Sequence, residues 1–324
     1  MEDTSGAEFI SFHKDTNKPV IVVISVAFTL LIVLGNGLVL ALFATKKEVR
    51  TPRNSYIAFL AITDVLVGVF IIPLDILHEV GAIKPTSATC KILEFMRYFV
   101  LTSNLYCVVA IAADRYRCIV HMYANKPSFK HVNIVISIIW LCAAVYAIRE
   151  PFAYDVIYQT DVNVTSNNSS DFLVICGIRD NDTRLSVLIL DFFVHFVIPL
   201  FIISCLYIKM TFWLLKQQNL IFVNLQARKR NYKVIKMVLL IVILYIVCQL
   251  PTQIWRVYVY TGNDVIDNSG YLLNTFLFLT YTNSWLNVVV YVIFNDSLLK
   301  RRQDFVPCCR KRDVGPAVTL STMS

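Results

Sequence analysis

The chain has 324 residues, 57% of them hydrophobic and only 16% charged, with a formal net charge of +8. Soluble domains run at roughly 45–50% apolar and ~25% charged residues, so this composition excludes a water-soluble globule, a disordered chain and a charged fibre.

In chain order, residues 1–18 form a polar, acidic amino-terminal tail without a cleavable signal pattern. A bilayer core about 30 Å thick takes ~20 mostly apolar residues per helix. Runs of that kind follow at Pro19–Ala44, Tyr56–Leu77, His131–Ile148, Leu185–Ile208, Val234–Leu250 and Tyr271–Phe294. One more, Tyr98–Ala113, is extended by the polar-spiced flanks Cys90–Arg97 and Asp114–Val120. The runs lack the alternating polar period of a barrel strand, so each satisfies its backbone as a helix. The expected fold is an all-α membrane protein, a seven-transmembrane helix bundle spanning 19–294. Beyond it, Asn295–Phe305 reads as a short amphipathic eighth helix on the membrane surface. The segment 295–309 ends at Cys308 and Cys309, whose basic juxtamembrane setting suits S-palmitoylation. The cytoplasmic tail 310–324 offers Thr319, Ser321, Thr322 and Ser324 for phosphorylation.

Lysine and arginine in the short loops set the orientation. With residue 1 outside, the inner segments 45–54, 115–130, 209–236 and 295–324 carry 21 of the 30 basic residues; the acids near that side are Glu48, Asp114, Asp296, Asp304 and Asp313, a net of +16. The outer segments carry 9 basic and 16 acidic residues, a net of −7, and Asp64 lies at mid-membrane. The basic balance is therefore an inner-face signal that meets the lipid bilayer, and nucleic acid is not an expected partner. The sequons at Asn163, Asn167, Asn168 and Asn181 all fall in the outer loop between spans four and five, as glycosylation requires. Of the nine cysteines, only Cys90 and Cys176 fall in the oxidising compartment, and they are the natural disulfide pair. The expected location is the plasma membrane, multi-pass, with the amino terminus extracellular.

Ionisable groups at membrane depth are costly and mark function. Asp64, with Asn36, Asn104, Asn283, Ser284 and Asn287 near mid-span, outlines a polar pocket of hard oxygen ligands fit for Na⁺; a hydrogen-bonded packing network without an ion is the alternative. Asp114-Arg115-Tyr116 closes span three at the cytoplasmic face, where Asp and Arg can pair in one state and part in another.

In their order and spacing these pieces resemble the rhodopsin-like (class A) G-protein-coupled receptors over roughly residues 19–309. The likeness rests on Gly35-Asn36, Leu60-Ala-Ile-Thr-Asp64, Asp114-Arg115-Tyr116, Trp140, Pro199, Tyr207, Cys248, Pro251, Asn287, Tyr291 and the Cys90/Cys176 pair. It implies an outer ligand pocket and an inner surface for a heterotrimeric G protein, with an arrestin as a further partner. It also implies that Arg115 engages the G protein and that Tyr207 and Tyr291 hold the active state. Two positions depart from the family pattern: Gln249 replaces the Trp two residues before Pro251, and Val288 replaces the Pro after Asn287. The second restores a backbone donor and should straighten span seven locally. Asn231 stands where an acid often locks the span-three Arg.

The family's amine receptors carry an Asp where this chain has Arg97, and its light sensors a span-seven Lys that is missing from 271–294. The outer halves of the spans instead hold Asp75, His78, Glu79, Glu94, Arg97, Tyr98, Glu150, Asp191 and His195. Gln253, Trp255, Arg256, Tyr271, Asn274 and Tyr281 add to them. Charges of both signs with acids in excess favour a basic peptide; a solvated acidic rim without a ligand role is the alternative. The stretch Arg115-Tyr-Arg-Cys-Ile-Val-His121 is similar to that of RFamide-type neuropeptide receptors, a resemblance that implies an amidated peptide. No paired spacing makes His78 or His195 a metal ligand, and no phosphate loop or nucleophile elbow points to an enzyme. Gln249 and Val288 motivate the competing expectation of a non-signalling decoy or scavenger receptor. A transporter would show internal repeats, which are not evident.

Overall fold

The structure is a computed structural model that describes residues 18–121, 127–160, 172–178, 180–217, 225–260 and 269–294. The sequons at Asn163, Asn167 and Asn168 lie outside these residues, as do the expected eighth helix, Cys308, Cys309 and the tail. The side chains of Glu79, Asn181, Asn231, Tyr271 and Asn274 also lie outside the described set.

Seven helices are long and apolar enough to cross a membrane. α1 is Lys18–Thr45. α2 runs Pro52–Leu66 and Ile72–Glu79 on either side of a π turn, Val67–Ile71. α3 is Ser87–Val120, and α4 is Phe129–Ala147 with a short continuation, Glu150–Ala153. α5 runs Asn181–Phe192 and Ile198–Gln217 around a second π turn, Phe193–Val197. α6 is Leu225–Tyr260 and α7 Ser269–Phe294. Polar caps set the starts. The Thr51 hydroxyl accepts from the Asn54 N–H at 3.3 Å, the Ser128 hydroxyl from His131 at 3.2 Å, and the Asp180 carboxylate from Thr183 at 2.8 Å. Thr86 and Thr89 close a reciprocal box ahead of α3, which starts a full turn before its apolar run.

The two interruptions have a common cause. Proline at 73 and 199 lacks an N–H and crowds the carbonyl four residues back, and a π turn stands directly before each. In α5 the Ile198 N–H reaches Phe193 O, which leaves the carbonyls of Val194 and His195 without helical donors. Both are satisfied from neighbouring helices. The Tyr106 hydroxyl of α3 donates to Val194 O at 3.2 Å, and the Tyr245 hydroxyl of α6 donates to His195 O. In α7, with Val288 in place of proline, the helix runs without a break.

A glycine permits one close crossing. A Cβ on Gly68 would lie 2.8 Å from Val33 Cγ2, so α1 and α2 would have to shift there to take a larger residue. At Gly35 a Cβ would lie 3.4 Å from Val288 Cγ2, ordinary contact where α1 meets α7. The main core, around Phe59, Leu60, Cys107, Ile111, Ile203, Ile241 and Tyr291, lies toward the Arg115 end. Leu30, Leu34 and Leu38 on α1 and Ile134, Ile138 and Leu141 on α4 remain exposed, as apolar faces do where the solvent is lipid.

Among the described residues the addition to the all-α expectation is a hairpin, β1 (Asp155–Thr160) against β2 (Phe172–Gly177), antiparallel with Val156 opposite Cys176. Its anchor is the Cys90–Cys176 disulfide to the first turn of α3. A second tie is the Asp155 carboxylate, 3.5 Å from Lys91 Nζ.

Cys176→Ser should free the hairpin. For a separation of 86 residues the lost constraint is expected to cost on the order of 2–5 kcal/mol, read as a lower midpoint in thermal unfolding of the solubilised protein. Hydrogen bonds from Ser87 and from the Val156 N–H, with Lys91 nearby, hold the Asp155 carboxyl below the usual carboxylate range. The tie is therefore complete above that range and is lost as pH falls through the lowered value. The protection factors of the β1 amides, taken against the intrinsic exchange rate at each pH, should fall on acidification, and Asp155→Asn should abolish that dependence.

Candidate functional site

Beneath the hairpin, α1, α2, α3, α6 and α7 enclose a cavity of about 430 Å³ that runs from Gly81, Pro85 and Cys176 down to Asn104, Asn283 and Ser284. Its charged layer is built by helical spacing. Arg97 lies one turn from Glu94 on α3, with Nε 3.2 Å from Oε1. Across the cavity the same guanidinium forks onto Asp75 of α2 at 2.7 and 3.3 Å. The Tyr281 hydroxyl of α7 donates to the other face of Asp75. One cation between two acids leaves this layer one negative charge over, so a ligand cation has a partner there.

Behind the wall lies a second cluster, centred on Asp191 of α5, whose side chain is fully buried. It accepts from Tyr98 at 2.8 Å, Tyr146 at 2.7 Å and Arg256 at 3.1 Å, and pairs with Arg149. Arg256 also donates to the Tyr98 oxygen at 2.6 Å, and Arg149 lies 2.7 Å from Glu150 and 4.2 Å above the Tyr146 ring. His195 bonds Thr102 through Nε2 at 2.8 Å. α3, α4, α5 and α6 are thus joined through one carboxylate.

Below the charged layer Gln249 and Gln253 face the cavity from α6. Deeper still, Asp64 is fully buried and meets only neutral donors: Asn104 at 2.6 Å, Asn287 at 3.4 Å and the Ser284 hydroxyl. Asn36 bonds Ser284 O at 3.3 Å and Ile32 O at 3.0 Å, so it braces the layer without touching the carboxylate. A buried carboxylate without a counter-charge, beside the Ser284 hydroxyl, is a hard oxygen ligand for a small cation, although Asn104 and Asn287 turn their N–H groups rather than their oxygens toward it. Among the described residues no cluster of three or more His, Cys, Asp or Glu offers another metal site.

At the far end Asp114 faces Arg53, with Nε 3.9 Å from Oδ2, rather than its neighbour Arg115. Adjacent residues on a helix point about 100° apart, so contiguity in the chain does not make an ion pair. Arg115 Nε and the Tyr291 hydroxyl are buried with no hydrogen-bond partner, and the Tyr207 hydroxyl ties α5 to α6 through Ile235 O at 3.0 Å.

Of the residues expected to meet a ligand, Asp75, Glu94, Arg97, Tyr98, Gln253, Arg256 and Tyr281 line the cavity, with His78, Trp255 and Gln249. Asp191, His195 and Glu150 do not; they stand one layer behind, where Asp191 holds Tyr98 and Arg256, His195 bonds Thr102 and Glu150 pairs with Arg149. The sequence reading missed Tyr146, Arg149, Tyr245 and Arg53. The signal for the first pair was Tyr146 and Arg149 at helical spacing on the end of an apolar span.

The family model described as 7 transmembrane receptor (rhodopsin family) matches residues 35–291. The chain is 28% identical over 301 residues to neuropeptide FF receptor 2 of Mus musculus, covering 87% of this chain and 71% of that one. It is 27% identical over 322 residues to the QRFP-like peptide receptor of Branchiostoma floridae, covering 94% and 82%. Against neuropeptide Y receptor type 2 of Cavia porcellus it is 25% identical over 316 residues, covering 94% and 81%.

Asp191→Asn leaves Arg149 and Arg256 without a shared counter-charge. The expected loss is on the order of 3 kcal/mol, against about 1 kcal/mol for Tyr146→Phe, which removes a single hydrogen bond. Thermal denaturation of the two solubilised variants beside the parent checks the ranking.

Proposed function

This chain belongs to the rhodopsin family of seven-transmembrane receptors, and we propose that it binds a basic neuropeptide in the cavity and activates a heterotrimeric G protein. The observation that carries the peptide reading is the wall Asp75–Arg97–Glu94, two acids sharing one cation, in a cavity broad enough to admit a chain end. The relatives named for neuropeptide FF and for a QRFP-like peptide support it.

In this reading the hairpin end faces the exterior. The partition of charge, +16 toward the Arg115 end and −7 toward the hairpin end, supports that orientation, as do the sequons between α4 and α5. A cationic side chain of the peptide pairs with Glu94 and draws Arg97 toward Asp75 alone. The change passes to α6 through Arg256, which touches both the cavity and Asp191. At the inner end the unpartnered guanidinium of Arg115 is the group offered to the G protein, with Tyr207 and Tyr291 beside it. Na⁺ at Asp64, held with Asn104, Ser284 and Asn287, would neutralise the buried carboxylate in the resting receptor. Glycans on the α4–α5 loop, palmitate on Cys308 and Cys309, and arrestin binding to the phosphorylated tail complete the proposal.

Challenged with a panel of basic peptides, the full chain in membranes should stimulate nucleotide exchange on an added G protein. Arg115→Ala should cut that exchange at least tenfold while peptide binding stays within a few-fold. Binding without exchange by the parent chain would replace signalling with a decoy role, and no binding by any peptide would remove the ligand class.

A further inference from the structure

α4 carries a second concavity, on the side turned away from the bundle. An open groove of about 630 Å³ runs along its first three turns, lined by Lys130, Asn133, Ile134, Ser137, Ile138 and Leu141. Val132, Ala143 and Ala147 are buried on the opposite face, and all six groove residues are exposed. Helical spacing makes the groove. Residues 130, 134, 137 and 141 form one row along the helix, flanked by 133 and 138. Ser137 is the smallest side chain in that row, so the surface dips between larger neighbours.

The polarity of the groove falls with depth. Ser128 caps the start of α4, which places Lys130 in the first turn. At 1.5 Å per residue, Asn133 lies ~4.5 Å, Ser137 ~10 Å and Leu141 ~16 Å farther into the span. Among the described residues Lys130 has no carboxylate partner, and no hydrogen bond engages the side chain of Asn133 or Ser137. A bare ammonium and a bare carboxamide on a surface that lipid covers call for a partner.

The order from cation to amide to hydrocarbon matches one lipid molecule, read from phosphate through ester carbonyl to acyl chain. The first turn is also the positive pole of the helix dipole, which favours an anion. Other occupants match less of the groove. A second copy in the same bilayer would run parallel, and a two-fold contact here would set one Lys130 against the other at equal depth. A sterol brings one hydroxyl and no charge, and a choline headgroup brings a cation beside its phosphate.

We propose that this groove is a binding site for an anionic glycerophospholipid. Lys130 pairs with the phosphate, and the Asn133 carboxamide donates to an ester carbonyl. One acyl chain lies in the dip at Ser137, along Ile134, Ile138 and Leu141. In the orientation proposed above this is the inner leaflet, where anionic lipids collect. The site goes beyond the peptide reading and stands whether or not a peptide binds.

The test uses the full chain in phosphatidylcholine nanodiscs doped with one of two photoreactive lipids. Phosphatidylglycerol and phosphatidylcholine, each with the same diazirine-bearing acyl chain, are compared. After illumination, mass spectrometry measures the lipid adduct on the tryptic peptide that ends at Arg149. The phosphatidylglycerol probe should label that peptide about fivefold more than the phosphatidylcholine probe. Lys130→Ala should bring the ratio to about one, and Lys130→Arg should keep it. Ser137→Leu, which fills the dip, should cut the phosphatidylglycerol adduct several-fold while the adduct on α1 stays unchanged. Both positions are exposed, so neither variant disturbs the core. Equal labelling by the two probes, a preference that Lys130→Ala leaves in place, or full displacement by added cholesterol overturns the site. Disulfide capture between copies through the exposed Cys142, with no lipid adduct on α4, also overturns it and gives the face to a second copy.

Discussion

A single carboxylate governs the geometry of the hairpin end. Asp191 has no access to water and draws in hydroxyls from α3 and α4 and guanidinium groups from α4 and α6. Removed from solvent, such a charge is tolerated only when its lone pairs are filled, and the only way to fill them is to bring four helices to one point. The cavity then follows. Tyr98 and Arg256 each turn one side to Asp191 and the other to the open space, so the wall that a ligand meets is set by a residue it does not touch. The layer above, from Asp75 through Arg97 to Glu94, has the same construction with one acid in excess.

Much of this was legible before any coordinates, and the division is physical. Spans announce themselves because a lipid-facing helix needs ~20 apolar residues in succession, a property of one contiguous segment. Asp64, Arg97 and Asp191 stand out for the same reason, as charges inside apolar runs. What remains hidden is pairing at a distance. Arg149 reads as an ordinary span-end cation, and only the approach of α5 makes it the partner of Asp191. Asp114 and Arg115 read as a pair in one state and parted in another; the contact of Asp114 with Arg53 of α2 is one that no adjacency announces. The hairpin was missed because Phe172–Gly177, a short apolar run, sat in a loop read for its sequons and its cysteine.

The two departures from the family pattern act at different levels. Val288 affects the backbone: α7 keeps its ladder, and the isopropyl group instead packs on Gly35 of α1. Gln249 affects the cavity, exchanging a bulky apolar ring for an amide with its hydrogen-bonding capacity unspent. Neither lies at the far end, where Arg115 Nε and the Tyr291 hydroxyl are buried without a hydrogen-bond partner.

The π turn of α5 ties together positions that are far apart along the chain. Proline at 199 takes away a donor, and hydroxyls on two other helices, Tyr106 and Tyr245, supply the carbonyls left behind. Over evolutionary time these three sites should not drift independently. A lineage that lost the proline would regain the amide donor and could relax both tyrosines to phenylalanine without harm. One that kept the proline and lost a tyrosine would carry a bare carbonyl in a medium that cannot hydrate it. Covariation of residues 106, 199 and 245 would then be the trace of one missing hydrogen.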